Sequence, residues 1–549
     1  MSSPPRRIFR LLVAHFLSRF FRSEHARYEG AARERLSGIL AVLTTASPTL
    51  FFMLFTVYVF LDGEVKKLWP FGAYFFGLVM IVLGFLAVLV WDDLFPDKVD
   101  QAILTAMPIP RSTLMWAKAS AVGLLLGASA FALSGLTPLV FASFLQHRGE
   151  GAAAFVRLAL AYFGSAFLSG ILAFGACGAL RGATLFLPHW IGVRRASSWI
   201  QSGLSFALVS GFAVLPLVAD RLPDLVDQGS FTLLAMPPAW FVGLAQVMAG
   251  NRDPVFSLLA QVALLATAVS SLLFAWAMSL GFRRFSRLSE DRGAGRGERE
   301  NDGFTPWIVN RLLLRAPLER ATFWFFVATL WRGPRQRMRL LSYLAVAAGW
   351  IFIARASGGD TMGQASPIAS FLAVAGARSA FGAVCQERAN WIIRLTEQAH
   401  KARYQSGVRW GVWLTILVPV FLALGLVLSA FGTVPHLGAH LAFHFLAACL
   451  LAEGMVVGLP RFPFTTVAGP GHFSDPVLFL LGFLAYVNLI EAAERFGLAD
   501  IESYAVACGV IATAILAIAL LRRYAPSRPF DFQDAPDILA INLAGEEED

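Results

Sequence analysis

The sequence predicts an all-α integral membrane protein with about 12 transmembrane helices in two parallel six-helix halves. Composition is the first observation: of the 549 residues, 57% are hydrophobic and only 15% are charged, whereas soluble domains have about 25% charged residues. The second is a series of apolar stretches near the ~20 residues that cross a bilayer. The third is an uneven distribution of lysine and arginine between the loops. These observations disfavour a soluble enzyme.

Twelve apolar stretches, bounded by charged residues or by glycine and proline, are the predicted spans. In the first half they lie at about 38–61, 71–91, 119–145, 153–180, 199–218 and 255–282. In the second half they lie at about 340–354, 364–384, 410–431, 437–458, 476–490 and 503–521. The seventh and the eleventh are short for a bilayer crossing, which takes about 20 residues.

The positive charges orient this series. If the N-terminus is cytoplasmic, the inner segments carry 36 of the 45 lysines and arginines, and the outer segments carry 7. Positive residues accumulate in cytoplasmic loops, so this distribution favours a multi-pass protein of the inner, cytoplasmic membrane with both termini in the cytoplasm. The net charge of +9 then reflects orientation in the membrane, and no nucleic-acid partner is expected.

A charged, glycine-containing segment divides the chain. Residues 283–305 show no apolar periodicity and are predicted to form a flexible cytosolic linker. The other predicted domains are a first six-span half at 1–282, which opens with an amphipathic helix, a second six-span half at 306–521, and a cytosolic tail at 522–549.

Both halves open in the same way. Basic, aromatic-rich amphipathic sequence precedes the first span of each half, at residues 6–29 and at Trp307–Arg339. In the first of these stretches the apolar residues share one helical face, with Leu11 as an exception, which predicts a helix lying on the inner membrane surface. The residues of this face are Phe9, Leu12, Val13, Phe16 and Phe20.

Each half also places its longest compact cytosolic segment after its second span. These segments are Trp91–Lys118 and Cys385–Trp410. Because each half has six spans, both halves run in the same direction through the membrane, which predicts a parallel repeat.

Prolines bound a short helix within the first cytosolic segment. Pro96 suits the first turn of a helix and Pro108 ends it, which leaves about three turns from Asp97 to Met107. This helix has one small apolar face and could transmit a rigid-body push from a soluble partner. The alternative is a polar loop held at the lipid headgroups.

Two phrases of the sequence resemble the permease subunits of type 2 ABC transporters, which are mostly exporters. The first is DKVDQAILTAMPIPRSTLMWAK, similar to the family's signature between spans two and three. Its matching residues are Asp100, Leu104, Met107, Pro108, Ile109, Arg111, Ala117 and Lys118. The second is MPPAWFVGLAQVMAG, Met236–Gly250, similar to a re-entrant or interfacial segment before the sixth span.

The resemblance implies a permease that moves its substrate with energy from a cytosolic ABC ATPase. By resemblance, the ATPase-coupling residues of the first half are Asp97, Asp100, Ile103, Met107, Pro108 and Arg111, and those of the second half are Arg388, Trp391 and Arg394. Most such permeases have one six-span unit and dimerise, whereas this chain is predicted to carry two different units. One chain could therefore form the whole pore.

The sequence contains no Gly-Lys pair, which the phosphate-binding loop of a Walker A motif requires. Its five lysines follow valine, lysine, aspartate, alanine and histidine. ATP hydrolysis is therefore expected in a separate partner, in two copies, one beneath each half. No catalytic residue, cofactor or metal is expected in this chain, and membrane lipid is the other expected partner.

Polar residues inside predicted spans are candidates for the translocation path. They are Thr44, Ser47, Gln201, Ser205, Arg378 and Glu453. A cross-helix pair between Arg378 and Glu453 is one hypothesis, and it would either hold the second half together or line the path. The hydroxyl-bearing residues serve helix packing equally well.

Three histidines, His436, His440 and His444, recur every four residues and favour one helix face. Such a row could bind a transition metal, but no carboxylate or thiol is spaced to complete the ligand set, because Glu453 lies 9 residues beyond His444, near the opposite face. Helix packing is therefore the preferred interpretation. The four cysteines form no CxxC pair and are predicted to be packing residues.

Two rival functions stay open. An ion-coupled secondary transporter would also have twelve spans in two parallel halves, although the long loop after span two is unlike that of the major facilitator family. A membrane-embedded enzyme acting on lipid would need clustered histidines and carboxylates at one membrane face.

Overall fold

The computed structural model describes most of the chain in helices. The described residues are 4–20, 56, 69–91, 93–95, 109–146, 151–184, 193–288, 316–356, 361–383, 393, 401–431, 434–459, 461–465, 476–497, 500–524 and 530. None of these residues lies in a β-strand. The chain divides into two compact units, Met1–Gly297 and Glu298–Asp549, and their boundary falls inside the segment predicted to be a linker.

Unit 1 contains eight described α-helices. They are α1 (Pro4–Arg19), α2 (Phe71–Leu89), α3 (Arg111–Ser134), α4 (Thr137–Leu145), α5 (Ala152–Thr184), α6 (Val193–Asp227), α7 (Pro237–Ala249) and α8 (Pro254–Leu288). A 3₁₀ turn, Phe231–Ala235, precedes α7. α3 and α4 share one predicted span, and the helix is interrupted between them because Pro138 lies in the first turn of α4 and lacks an N–H donor.

Unit 2 also contains eight described α-helices. They are α9 (Pro317–Arg332), α10 (Pro334–Ala356), α11 (Ala365–Phe381), α12 (Lys401–Val412), α13 (Val418–Phe431), α14 (Leu437–Val457), α15 (Pro476–Gly497) and α16 (Ile501–Tyr524). A π-helical turn, Trp413–Leu417, joins α12 to α13. Pro419 follows this turn and cannot donate a backbone hydrogen bond to the preceding turn, which accounts for the local widening.

Ten helical segments of the described residues are long and apolar enough to cross a membrane, and α12, the π-helical turn and α13 together form one of them, Lys401–Phe431. Each coincides with one of the twelve predicted spans. The predicted span at 38–61 lies outside the described residues, and the one at 364–384 corresponds to α11, which has only 17 residues. The two spans predicted to be short are longer in the structure, at Pro334–Ala356 and Val477–Gly497, because both helices continue past charged residues.

One helix forms the centre of each unit. In unit 1 it is α2, of which 12 of 19 residues are buried and which packs against α5, α6 and α7. In unit 2 it is α11, of which 14 of 17 residues are buried and which packs against α10, α14 and α15. These helices correspond to the predicted second span of each half, so the two units share this feature of their packing.

The amphipathic helices pack in the same way in both units. In unit 1, Leu12 and Phe16 of α1 are buried against Ala117 and Ala121 of α3. The predicted apolar face of α1 therefore packs against α3, whereas the sequence predicts that it lies on the inner membrane surface. Leu11, the predicted exception, is 63% exposed.

In unit 2, α9 packs against α12 at two glycines four residues apart. A β-carbon at Gly407 would lie 2.6 Å from Cβ of Thr322 and 2.8 Å from the carbonyl oxygen of Glu319, and one at Gly411 would collide with the ring of Phe326. Small residues spaced by four thus bring an amphipathic helix close to the predicted third span in both units.

This close approach predicts the effect of a larger side chain. Gly407→Val should destabilise unit 2 by about 1–3 kcal/mol, because the neighbouring contact includes backbone that cannot move aside easily. Gly509→Val in α16 is the matched control, since a β-carbon there meets nothing within 4 Å. Thermal unfolding in detergent measures both, and equal effects would contradict the packing described.

Candidate functional site

The C-terminal end of α2 is fixed by polar side chains of its neighbours. Trp91, just beyond α2, is fully buried, and its indole Nε1 donates to Oγ of Ser197 in α6 at 3.0 Å. Gln201, also in α6, donates from Nε2 to the carbonyl oxygen of Val88 at 3.0 Å. The last carbonyls of a helix lack partners within that helix, so these bonds hold the point where the chain leaves the membrane bundle.

Arg181 of α5 completes this anchor. Its Nε donates to the carbonyl oxygen of Trp91 at 3.2 Å, and its Nη1 donates to Oγ of Ser197 at 3.1 Å. Its guanidinium carbon lies 5.9 Å and 5.8 Å from the ring centroids of Trp91 and Phe95, a distance typical of cation–π contact. The chain is thus tied to α5 and α6 immediately before the predicted coupling helix, whose residues 97–107 lie outside the described residues.

The other end of the same segment is held by α1. Ala117 and Lys118, which end the phrase that resembles the type 2 permease signature, are both buried. Ala117 packs beneath α1, and Nζ of Lys118 lies 5.0 Å from the ring centroid of Phe16 and 5.4 Å from that of Phe20. A small residue and a cation therefore dock the amphipathic helix where the chain re-enters the bundle.

The end of α11 in unit 2 is held in a comparable way. Gln336 of α10 donates from Nε2 to the carbonyl oxygen of Ala383 at 2.8 Å, and Arg339 donates to the carbonyl oxygen of Ser379 at 3.1 Å. The backbone N–H of Phe464 donates to the carbonyl oxygen of Phe381 at 2.9 Å. Both central helices thus end in carbonyls that neighbouring elements satisfy, directly before a predicted coupling segment.

Phe464 adopts a left-handed backbone conformation, with φ of +66°. This conformation is unfavourable for a residue with a large side chain. It is offset here by burial, because the ring lies among those of Phe325, Phe326 and Phe381.

Most predicted coupling residues lie outside the described residues. These are Asp97, Asp100, Ile103, Met107, Pro108, Arg388, Trp391 and Arg394, and the path candidates Thr44 and Ser47 lie outside them as well. Arg111 is the first residue of α3. The assignment of these residues to coupling or to a path stays a prediction.

Four path candidates lie in the described part. Gln201 and Ser205 are buried, and Gln201 directs its amide to the end of α2. Arg378 is half-buried near the end of α11. Glu453 is fully buried in α14.

Glu453 is paired with two arginines from different helices. Nη1 of Arg409 in α12 lies 3.3 Å from its Oε1, and Nη1 of Arg522 in α16 lies 2.8 Å from its Oε2. Among the described residues Glu453 forms ion pairs with these two arginines and not with Arg378. The predicted pair between Arg378 and Glu453 is therefore wrong. Both arginines lie at the margins of predicted spans, and the sequence prediction assigns them to the cytoplasmic loops.

A second polar cluster contains two of the three histidines. His440 and His444 of α14 are buried, and both face the carboxylate of Glu494 in α15. Nδ1 of His440 contacts Oε1, and Nε2 of His444 lies 3.0 Å from Oε2. His436, by contrast, is exposed at the start of α14 and has φ of +48°.

This cluster corrects the expectation that the histidines have no carboxylate nearby. The carboxylate comes from another helix, which spacing along α14 does not reveal. The glutamates at 491 and 494 are the sequence signal for this cluster, but the predicted eleventh span ends at residue 490 and leaves both in a loop.

The two clusters also report the relative direction of the helices. Residues near the starts of α11 and α14 meet the end of α15. In the continuous helix Lys401–Phe431, formed by α12, the π-helical turn and α13, Arg409 lies in the first third and meets Glu453 near the end of α14, as does Arg522 near the end of α16. Thus α11, α14 and α16 run in one direction, and α12 and α15 run in the opposite one. This agrees with the predicted alternation of spans eight to twelve.

Comparison of the chain with family models, with curated proteins and with solved structures gives no match. The helices themselves define its class. Because ten described helices have the length and apolar composition of membrane spans and no described residue is in a strand, the chain is a multi-pass, all-α membrane protein.

Proposed function

We propose that this chain is the transmembrane permease subunit of an ATP-driven ABC exporter. It moves a substrate across the cytoplasmic membrane with energy from separate cytosolic ATPase subunits, two copies of which dock beneath one chain. The two units act as two six-span halves of one permease, and both termini are cytoplasmic.

One observation carries the proposal most strongly, namely the anchoring of the chain on both sides of the first predicted coupling segment. Trp91 is held by Arg181 and Ser197 before the segment, and Ala117 and Lys118 hold α1 after it. A segment tied at both ends to packed helices moves as part of the bundle, because packed interiors transmit displacement. This is the property that a coupling element requires.

A displacement of the segment would act first on α2. This helix is the centre of unit 1 and contacts α5, α6 and α7, so its movement would be passed on to three other helices. In unit 2 the same argument applies to α11, which contacts α10, α14 and α15. The proposed transport cycle is therefore a rigid-body rearrangement that starts at the two central helices.

The phrase that resembles the type 2 permease signature and the absence of a Gly-Lys pair both support the proposal that the permease and the ATPase are separate proteins. The phrase follows α2 in the sequence, and its last residues, Arg111 to Lys118, lie in α3, which supports the resemblance to type 2 permeases. Since the sequence contains no Gly-Lys pair, the phosphates of ATP would be bound by a partner.

An ion-coupled secondary transporter is the second candidate, and a specific observation favours it. Unit 2 buries Glu453 between Arg409 and Arg522 and buries a histidine pair against Glu494. Ionisable residues inside membrane spans often form ion or proton pathways.

Transport in inverted membrane vesicles separates the two candidates. A compound whose retention by whole cells rises when the chain is deleted is the test substrate. We expect its uptake into vesicles to need ATP, to be abolished by orthovanadate, and to persist with a protonophore. Uptake that survives vanadate but is lost with the protonophore would establish the second candidate instead.

A further inference from the structure

We propose that His440, His444 and Glu494 bind a divalent transition-metal ion of the zinc class. The ion would join α14 to α15. This inference rests on the geometry of unit 2 and does not depend on the proposed transport function.

The three side chains offer their ligand atoms to one point. One nitrogen of each histidine and one carboxylate oxygen all lie within 4.8 Å of one another. Nδ1 of His440 and Nε2 of His444 face opposite oxygens of the same carboxylate, and the two imidazole centroids are 4.4 Å apart. Three ligands about 2.0–2.2 Å from a common centre would be separated by roughly 3.5 Å in a tetrahedral site, which lies within the 4.8 Å that contains these atoms.

A further hydrogen bond prepares His440 as a ligand. Its Nε2 lies 2.8 Å from Oγ of Ser366 at the start of α11. With a metal bound, Nε2–H would donate to this hydroxyl, and Nδ1 would be left without a proton as the ligand atom. Metal-binding histidines are commonly oriented by such a bond at the second ring nitrogen.

The types of ligand atom in this cluster indicate which metal ions would bind. Two imidazoles and one carboxylate suit Zn²⁺ and the neighbouring transition metals, whereas Mg²⁺ and Ca²⁺ prefer sites made of oxygen alone. Three protein ligands leave one position of a tetrahedral Zn²⁺ ion for water.

The burial of these three side chains makes a bound cation energetically favourable. His440 and His444 are 2% and 0% exposed, and Glu494 is 12% exposed, so a carboxylate is held in a helix bundle beside two rings that are neutral when unprotonated. The nearby Glu491 is already engaged by Arg495 at 2.5 Å and by Gln364 at 3.3 Å. A divalent cation would compensate the charge of Glu494 and, through Ser366, tie both helices to the central helix α11.

Cobalt binding to the purified full chain in detergent tests the site. After chelation to remove resident metal, the protein should bind one Co²⁺ ion per chain with the strong visible absorption of four-coordinate cobalt, and Zn²⁺ should displace it. His444→Gln and Glu494→Gln should each abolish these bands. His436→Asn is the matched control, because it removes a histidine of the same row that lies outside the cluster and asparagine tolerates its positive φ; it should leave them unchanged.

A third variant keeps the test decisive if the ligand variants fail to fold. Ser366→Ala retains all three ligands and should lower the affinity for Co²⁺ and Zn²⁺ by about 10- to 100-fold. Zinc should also raise the melting temperature of the natural protein more than that of this variant. The proposal is overturned if the natural protein shows no saturable four-coordinate binding, if the bands persist in folded His444→Gln and Glu494→Gln, or if Ser366→Ala binds with unchanged affinity.

Discussion

Glu453→Gln is expected to destabilise unit 2 by about 3–5 kcal/mol, the range measured when one partner of a buried ion pair is removed. Glu453 is fully buried, and Arg522 and Arg409 are only 6% and 16% exposed. Without the carboxylate, two guanidinium groups from α12 and α16 face each other with no compensating charge. The measurement is unfolding of the purified protein in detergent or lipid nanodiscs.

Two further variants make this result specific. Glu502→Gln removes an exposed carboxylate at the start of α16 and should change stability by less than about 0.5 kcal/mol. Combining Glu453→Gln with Arg522→Met removes one of the two uncompensated cations and should recover part of the loss, which a double-mutant cycle quantifies. A fully additive double variant would show that Glu453 and Arg522 do not interact as described.

Charge reversal in the first predicted coupling segment is expected to weaken ATPase binding at least about tenfold, since reversing charges at the proposed docking surface places like charges opposite each other. The variant is Asp97→Lys combined with Asp100→Lys. Membrane insertion should persist, because added lysines on a cytoplasmic loop agree with the predicted orientation. Recovery of the ATPase with the tagged permease, normalised to the amount of permease, is the readout.

The C-terminal tail provides a matched control for this variant. Glu546→Lys combined with Glu547→Lys changes the net charge equally and on the same predicted side of the membrane, but outside the segment that resembles the family signature. Recovery should be unaffected. If both double variants reduce recovery equally, net charge and not the segment determines binding, and the proposed docking site is wrong.

The positions of the spans could be predicted because each is encoded locally. A helix that crosses a bilayer needs about 20 apolar residues in sequence, and all ten candidate spans of the described structure coincide with such stretches. The apolar face of α1 was predictable for the same reason, since Leu12 and Phe16 lie on one side by helical periodicity alone.

The partners of the buried charges could not be predicted, because they come from distant parts of the chain. Glu453 meets residues 44 and 69 positions away, and Glu494 lies 54 positions from His440. The predicted spans also end at charged residues, so Arg409 and Glu494 fall outside them. The structure keeps both residues within helices, because pairing offsets the cost of burying them.

Purification of the tagged chain from its native membranes tests most directly our proposal that an external ATPase drives this membrane protein. We expect an ATPase with a Gly-Lys phosphate-binding loop, identified by its peptides in mass spectrometry, to co-purify at about two copies per chain and to hydrolyse ATP in a vanadate-sensitive manner. Recovery of an intact chain without such a partner, which nevertheless accumulates substrate in vesicles on an ion gradient alone, would contradict the account.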